Sequence, residues 1–182
     1  MAVAPVSAAG GRRARPVGIA LPGILLGVGL GGFVDGIVLH QILQWHHLVT
    51  GPDPRLGLPY HPADTVDGLR VNTLADGLFH AGTWVAVLVG LMLLYRRVRS
   101  PRRRVWGSRA LWGWLLVGWG VFNLVEGLVN HHLLRLHHVR AGPGQLWWDL
   151  GFLAFGALLV GAGWLLRRGA RPVDLDDGHP QV

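Results

Sequence analysis

Four apolar stretches dominate this chain of 182 residues, at 17–39, 71–94, 110–133 and 146–166. A helix needs about 20 apolar residues to cross a hydrocarbon core of roughly 30 Å, and each stretch is long enough to do so. Allowing for polar helix ends, we predict spans at about 17–47, 71–95, 109–138 and 146–166. The predicted fold class is therefore an all-α integral membrane protein, with a single four-helix transmembrane bundle over 17–168.

The arginines predict which side of the membrane each loop occupies. Thirteen of the 17 basic residues lie before the first span, between the second and third spans, or after the fourth. The positive-inside rule then places both termini and the loop at 96–108 in the cytoplasm, and the loop at 48–70 outside. Because this distribution explains the net charge of +7, we predict no nucleic-acid partner. The polar tails at 1–16 and 169–182 are predicted to be disordered.

The absence of cysteine restricts the kinds of metal site that the chain can form. Thiolate zinc sites and thiolate-bound iron–sulfur clusters are excluded, and two methionines are too few for a thioether copper path. A metal ion would have to be held by nitrogen and oxygen ligands. Histidine and carboxylate together suit iron, copper, zinc or manganese, and the sequence does not distinguish among them.

A pattern of one acid, Gly, three residues, His, five residues and His-His occurs twice in the chain. Its members are Asp35, Gly36, His40, His46 and His47 in the first span and Glu126, Gly127, His131, His137 and His138 in the third, each pair 91 positions apart. The second and fourth spans repeat more weakly, through Asp76 and Asp149. Since the first and third spans run in the same direction, the pattern predicts two parallel helical hairpins related by a pseudo-twofold axis.

Helical geometry predicts how deep each polar residue lies. Eleven residues at a rise of 1.5 Å put Asp35 roughly 16 Å below His46, near the bilayer midplane if His46 is at the interface. Asp76 and His80, four residues apart, share one face of the second helix.

Ionisable groups in a span cost about 2.5–3.5 kcal/mol each and normally face a partner inside the bundle. The simplest arrangement that satisfies so many of them is a shared metal ion. His132 is left out because Gln41 stands at its counterpart position. The candidate metal ligands are Asp35, His40, His46, His47, Asp76, His80, Glu126, His131, His137 and His138.

Three segments carry a resemblance to a known family. They read GFVDGIVLHQILQWHH at 32–47, DGLFH at 76–80 and NHHLLRLHH at 130–138. Together they resemble a bacterial family of predicted membrane proteins known as domain of unknown function 2243. The resemblance covers nearly the whole chain and implies a four-span protein of a bacterial cytoplasmic membrane. It implies no activity.

Three functions remain open at this point. The first is a membrane metalloprotein with one or two transition-metal ions in the outer half of the bundle, acting in redox chemistry, such as that of an oxidoreductase, or in metal handling. The second is a haem b electron carrier with His40 and His131 as axial ligands, or His47 and His138. The third is a proton or metal-ion transporter. The expected partners are the lipid bilayer and, for the first two functions, other membrane redox or metal-handling proteins.

Overall fold

The computed structural model describes residues 18–51, 54–99, 104–170 and 172–174. Within these ranges, four helices are long and apolar enough to span a membrane. They are α1 (Ala20–Val34), continued by a π-helix over Asp35–Ile42, α2 (Val66–Val98), α3 (Ser108–Glu126), continued by a π-helix over Gly127–Leu133, and α4 (Gln145–Arg168). The predicted all-α membrane class is confirmed.

The helices α1 and α3 form the centre of the bundle, and α2 and α4 flank them. Helix α1 packs against α3, α2 packs against α1, and α4 packs against α3. Half of the residues in the apolar window of the first span are buried and 44% of those in the third, against 11% and 17% in the second and fourth. The outer faces of α2 and α4 are therefore the main lipid-facing surfaces.

Two glycines allow the central helices to approach closely. A side chain at Gly27 would overlap the carbonyl oxygen of Leu115, and one at Gly118 would overlap the carbonyl oxygen of Ile24. Both glycines and both carbonyls are 91 positions apart. The α1–α3 contact is thus the same on its two sides, which supports the interpretation of the chain as two repeats.

Both central helices end earlier than predicted, and the last turns of both are π-helical. The amide of Leu43 donates to the carbonyl of Val38 at 2.8 Å, and the amide of Leu134 donates to that of Val129 at 2.7 Å. Gln44 and Arg135 then adopt left-handed backbone conformations, with φ of 50° and 47°. The helices end at Ile42 and Leu133, instead of continuing to 47 and 138, because a left-handed residue cannot extend a right-handed helix.

The remaining elements connect the helices at either end of the bundle. Helix α2 begins at Val66, inside the predicted loop 48–70, because the Thr65 hydroxyl accepts a hydrogen bond from the Gly68 amide at 3.1 Å. A 3₁₀ turn, Pro54–Leu56, lies in the same loop. At the opposite end, β1 (Arg104–Trp106) pairs antiparallel with β2 (Pro172–Asp174). The predicted tail 169–182 thus includes a short strand, and the predicted tail 1–16 lies outside the described residues.

Candidate metal centre

Four buried imidazoles form one cluster at the end of the bundle where α1 and α3 terminate. The rings of His46 and His137 stack, with centroids 4.5 Å apart and planes within 6°. His40 meets His46 edge-on at 4.5 Å, and His131 meets His137 edge-on at 4.9 Å. All four side chains are buried. The two members of each counterpart pair, 91 positions apart, therefore occupy matching places in the cluster.

The chain reversal at Arg135 brings His137 back toward Glu126, and Gln44 is the corresponding left-handed residue of the first half. On the predicted continuous helix, His137 and Glu126 would stand roughly 16 Å apart, as would their counterparts His46 and Asp35. In the structure, His137 Nε2 lies 2.8 Å from Glu126 Oε1. The separation predicted from helical rise is therefore wrong for His137 and Glu126, because the helix ends at Leu133, before His137.

The two carboxylates reach the imidazoles unequally. Glu126 Oε2 lies 3.0 Å from His131 Nε2, and its other oxygen contacts His137. Asp35 Oδ2 lies 3.4 Å from His40 Nε2. Asp has one methylene fewer than Glu, so its carboxylate extends less far into the cluster.

Two further carboxylates hold the outer sides of the rings. Asp76 lies 3.0 Å from His40 Nδ1 and 2.7 Å from His47 Nδ1, and accepts from the Leu48 amide at 2.9 Å. The buried Asp76 side chain thus contacts three residues of the segment that follows α1: His40, His47 and Leu48.

Asp149 on α4 occupies the matching place in the other half. It lies 2.7 Å from His138 Nδ1, accepts from the Val139 amide at 3.0 Å, and lies 3.4 Å from His131 Nδ1. The predicted ligands do not include Asp149. The signal for it in the sequence was its weak correspondence with Asp76, although their offset of 73 positions differs from the 91 of the main repeat.

Backbone carbonyls of one half orient the histidines of the other. The Nδ1–H of His46 donates to the Val139 carbonyl at 2.9 Å, and that of His137 donates to the Leu48 carbonyl at 3.0 Å. A carbonyl can only accept, so Nδ1 carries the proton in both rings. In the neutral imidazole of His46, Nε2 is then the atom with the free lone pair, whereas Nε2 of His137 contacts Glu126. No side-chain pattern could have predicted these two acceptors.

Burial also favours the neutral form of His46, which lies beyond the end of the first span. Removal of the ring from water, together with the neighbouring His137 and His40, lowers the pKa of His46 to about 2. A neutral imidazole is the form that binds metal ions.

The family to which the chain belongs follows from comparison with known sequences. The family described as Predicted membrane protein (DUF2243) matches residues 22–170. The chain belongs to this family. Comparison with curated proteins and with solved structures gives no significant match.

The DUF2243 region includes every residue of the cluster and all four spans apart from the first two residues of α1. The structure contains two groups of three side chains, and within each group the potential ligand atoms lie within 4.8 Å of one another. One group is Glu126, His131 and His137, and the other is His40, His46 and His137. The histidines of the motif at 32–47 and those of its repeat in the third span thus lie in one cluster.

The other predicted ligands, Asp35 and Asp76 among them, lie outside these two groups. His47 and His138 point to Asp76 and Asp149 and are 12% and 22% exposed. His80 lies against Gly36, with its ring 6.5 Å from that of Phe33.

Several polar atoms of the cluster fit a metal ion because they have no other partner. Within the described part of the chain, Nε2 of His40 and His46, both ring nitrogens of His131, and Oε2 of Glu126 are buried without a hydrogen bond. The 3.0 Å contact between Glu126 and His131 lacks hydrogen-bond geometry. Two ligands at about 2.1 Å from one ion are themselves roughly 3–3.5 Å apart, so this contact suits shared coordination.

Proposed function

We propose that this DUF2243 protein is a membrane metalloprotein that holds one or two transition-metal ions in the histidine cluster. The metal serves redox chemistry or metal handling. The proposed ligands are Asp35, His40, His46, Glu126, His131 and His137. His47, Asp76, His138 and Asp149 orient them from the second layer. The observation that carries the proposal is the convergence of buried Nε2 atoms whose Nδ1 sides face an acceptor.

This arrangement is the one that metal-binding histidines adopt in proteins. Such a histidine nearly always donates its second ring nitrogen to a carboxylate or backbone carbonyl, which fixes the ring and raises its basicity. His40 faces Asp76, His131 faces Asp149, and His46 and His137 face carbonyls. Nδ1 of His40, His46 and His137 is thus hydrogen-bonded on its outer side, whereas His131 Nδ1 lies 3.4 Å from Asp149 without a hydrogen bond.

The energetic cost of the cluster without an ion supports the same conclusion. A buried polar atom without a partner costs about 1–3 kcal/mol, and three Nε2 atoms are in this state. Metal coordination would give each of these atoms a partner. The π-helical segments that carry His40 and His131 add support, since π-helical turns occur frequently at functional sites.

The haem alternative receives less support from this geometry. A bis-histidine haem needs the macrocycle to lie between its two axial rings. The rings of His46 and His137 stack on each other and also contact His40 and His131 edge-on. An inserted porphyrin would have to separate imidazoles that are now in contact.

The transporter alternative lacks a polar route in the described spans. All of their buried Asp, Glu and His side chains lie in the half of the bundle that contains the site. The deepest of them in the four spans are Asp35, Asp76, Glu126 and Asp149. The other half of the bundle has no buried ionisable group of these types among the described residues. The geometry therefore favours a fixed site over a relay across the membrane.

The proposal includes the orientation of the protein in a bacterial cytoplasmic membrane. Arginines cluster at the end opposite the site, at Arg96, Arg97, Arg109, Arg167 and Arg168. The positive-inside rule then puts both termini in the cytoplasm and the metal centre near the outer surface. An electron or metal partner would approach from that side.

The test is elemental analysis, with an ultraviolet and visible spectrum, of detergent-purified protein prepared without chelators. We expect one or two iron, copper, zinc or manganese ions per chain and no Soret band. The double variant His40→Gln/His131→Gln should lose the metal. The matched control His61→Gln/His132→Gln, which removes two histidines outside the cluster, should keep it.

Other results would contradict the proposal in distinguishable ways. A Soret band that disappears in the His40→Gln/His131→Gln variant would establish the haem carrier instead. Unchanged metal content in that variant would show that the metal binds elsewhere. Absence of both metal and haem, even after incubation with each candidate ion, would reject a cofactor role.

A further inference from the structure

We infer that the cluster holds two ions with unequal affinity, a tight one in the Glu126 half and a weak, exchangeable one in the Asp35 half. The Glu126 half comprises Glu126, His131 and His137, and the Asp35 half comprises Asp35, His40 and His46. The inference rests on the proposed metal function. It goes further by assigning different properties to two halves that the repeated sequence pattern makes look equivalent.

The Glu126 half is a complete set of three ligands. The two oxygens of Glu126 lie 2.8 Å from His137 Nε2 and 3.0 Å from His131 Nε2, so one carboxylate lies within ligand distance of both imidazoles. All three side chains are buried. An ion here meets three ligands that are already in place, which keeps the cost of ordering them low.

The Asp35 half is incomplete by comparison. The contact between Asp35 and His40 is 3.4 Å, longer than either contact of Glu126, and Asp35 belongs to neither group of three. The group of three that contains His40 and His46 takes His137 as its third member. One Nε2 lone pair binds one ion, so His137 cannot serve both positions together.

A position with fewer protein ligands must complete its coordination with water or another small exchangeable ligand. Metal sites that keep such an open position are the ones that react, whereas closed sites are structural. Since the Glu126 half supplies three protein ligands and the Asp35 half supplies fewer, a small external ligand binds mainly in the Asp35 half. The missing methylene of Asp35 relative to Glu126 causes the difference between the halves.

The experiment is a titration of the full-length, chelator-treated protein in detergent with Co²⁺, followed by its visible absorption. We expect two phases, each of one ion per chain. Glu126→Asp should weaken the first phase about tenfold or more, an effect of the size seen when support for a metal ligand is lost. Asp35→Glu should strengthen the second phase until the two phases approach each other.

A second pair of variants keeps the test decisive if a carboxylate variant fails to fold. His46→Gln should remove only the weak phase, whereas His137→Gln should remove the tight one. The control His132→Gln should keep both, since Gln is the residue at its counterpart position, Gln41.

The possible failures are distinguishable. Two ions that bind in one phase, one ion per chain, or equal losses in His46→Gln and His137→Gln would overturn the inference and leave the proposed metal function standing. A wild-type protein that binds no Co²⁺ would overturn the proposed function itself.

Discussion

The substitution Asp149→Asn tests whether the carboxylates behind the histidines support the metal. Asp149 accepts the Val139 amide at 3.0 Å and contacts His138 Nδ1 at 2.7 Å. Asn has the same shape but one acceptor oxygen and no charge, so one of these two donors loses its partner. Loss of such support at metal sites costs about 10–100-fold in affinity, which is about 1.4–2.7 kcal/mol. We expect a loss of that size for the tight ion, because His131 lies 3.4 Å from the same carboxylate.

The assay is competition for Zn²⁺ between the protein and a chromophoric chelator. Asp67→Asn is the matched control, since it removes the same charge from a side chain that is 95% exposed and pairs only at the surface with Arg70. A thermal melt of each variant without metal separates lost affinity from lost folding. Wild-type Zn²⁺ affinity in a folded Asp149→Asn protein would refute the role assigned to Asp149.

Three further predictions follow from the packing and the site. Gly118→Ala should destabilise the bundle by several kcal/mol, because the new methyl group would overlap the backbone of Ile24. The control Gly161→Ala, whose methyl group would meet nothing within 4 Å, should be neutral or raise stability by up to about 1 kcal/mol. Thermal melts in detergent compare the two variants, and equal melting temperatures would contradict the close α1–α3 contact. Gln44→Gly should be tolerated and Gln44→Val should cost about 1–2 kcal/mol, because φ is 50° there; a stable Val variant would mean that the chain does not reverse at this residue. Zn²⁺ at 100 times its dissociation constant should stabilise the protein by about 2.7 kcal/mol, and chelator should reverse the gain; a melting temperature insensitive to both would argue against a site formed only in the folded state.

The sequence was sufficient to predict the spans and most residues of the cluster. Apolar length predicts four helices, and the constant offset of 91 positions selects His40, His46, His131 and His137 as equivalent pairs. Those predictions depend on composition and repetition, which the sequence contains directly. The same offset does not say which nitrogen of a ring faces inward.

The path of the chain after each motif could not be predicted. The helical-rise argument assumed that α1 continues to His47, but the chain leaves the helix at Gln44 without Gly, the residue that most readily takes a left-handed conformation. No local signal therefore marks the reversal. It depends on tertiary contacts, including the Val139 carbonyl that accepts from His46.

These contacts make the histidine cluster, the proposed metal centre, inseparable from the packing of the two halves. His46 depends for its orientation on Val139, and His137 depends on Leu48, so each half completes a histidine of the other. Neither half alone would hold its second histidine in the orientation that presents Nε2 inward. By thermodynamic linkage, the free energy by which a bound metal stabilises the association of the two halves equals the free energy by which their association strengthens metal binding. The left-handed residues and the cluster of buried polar groups are, on this view, the local costs of a site that only the assembled bundle can form.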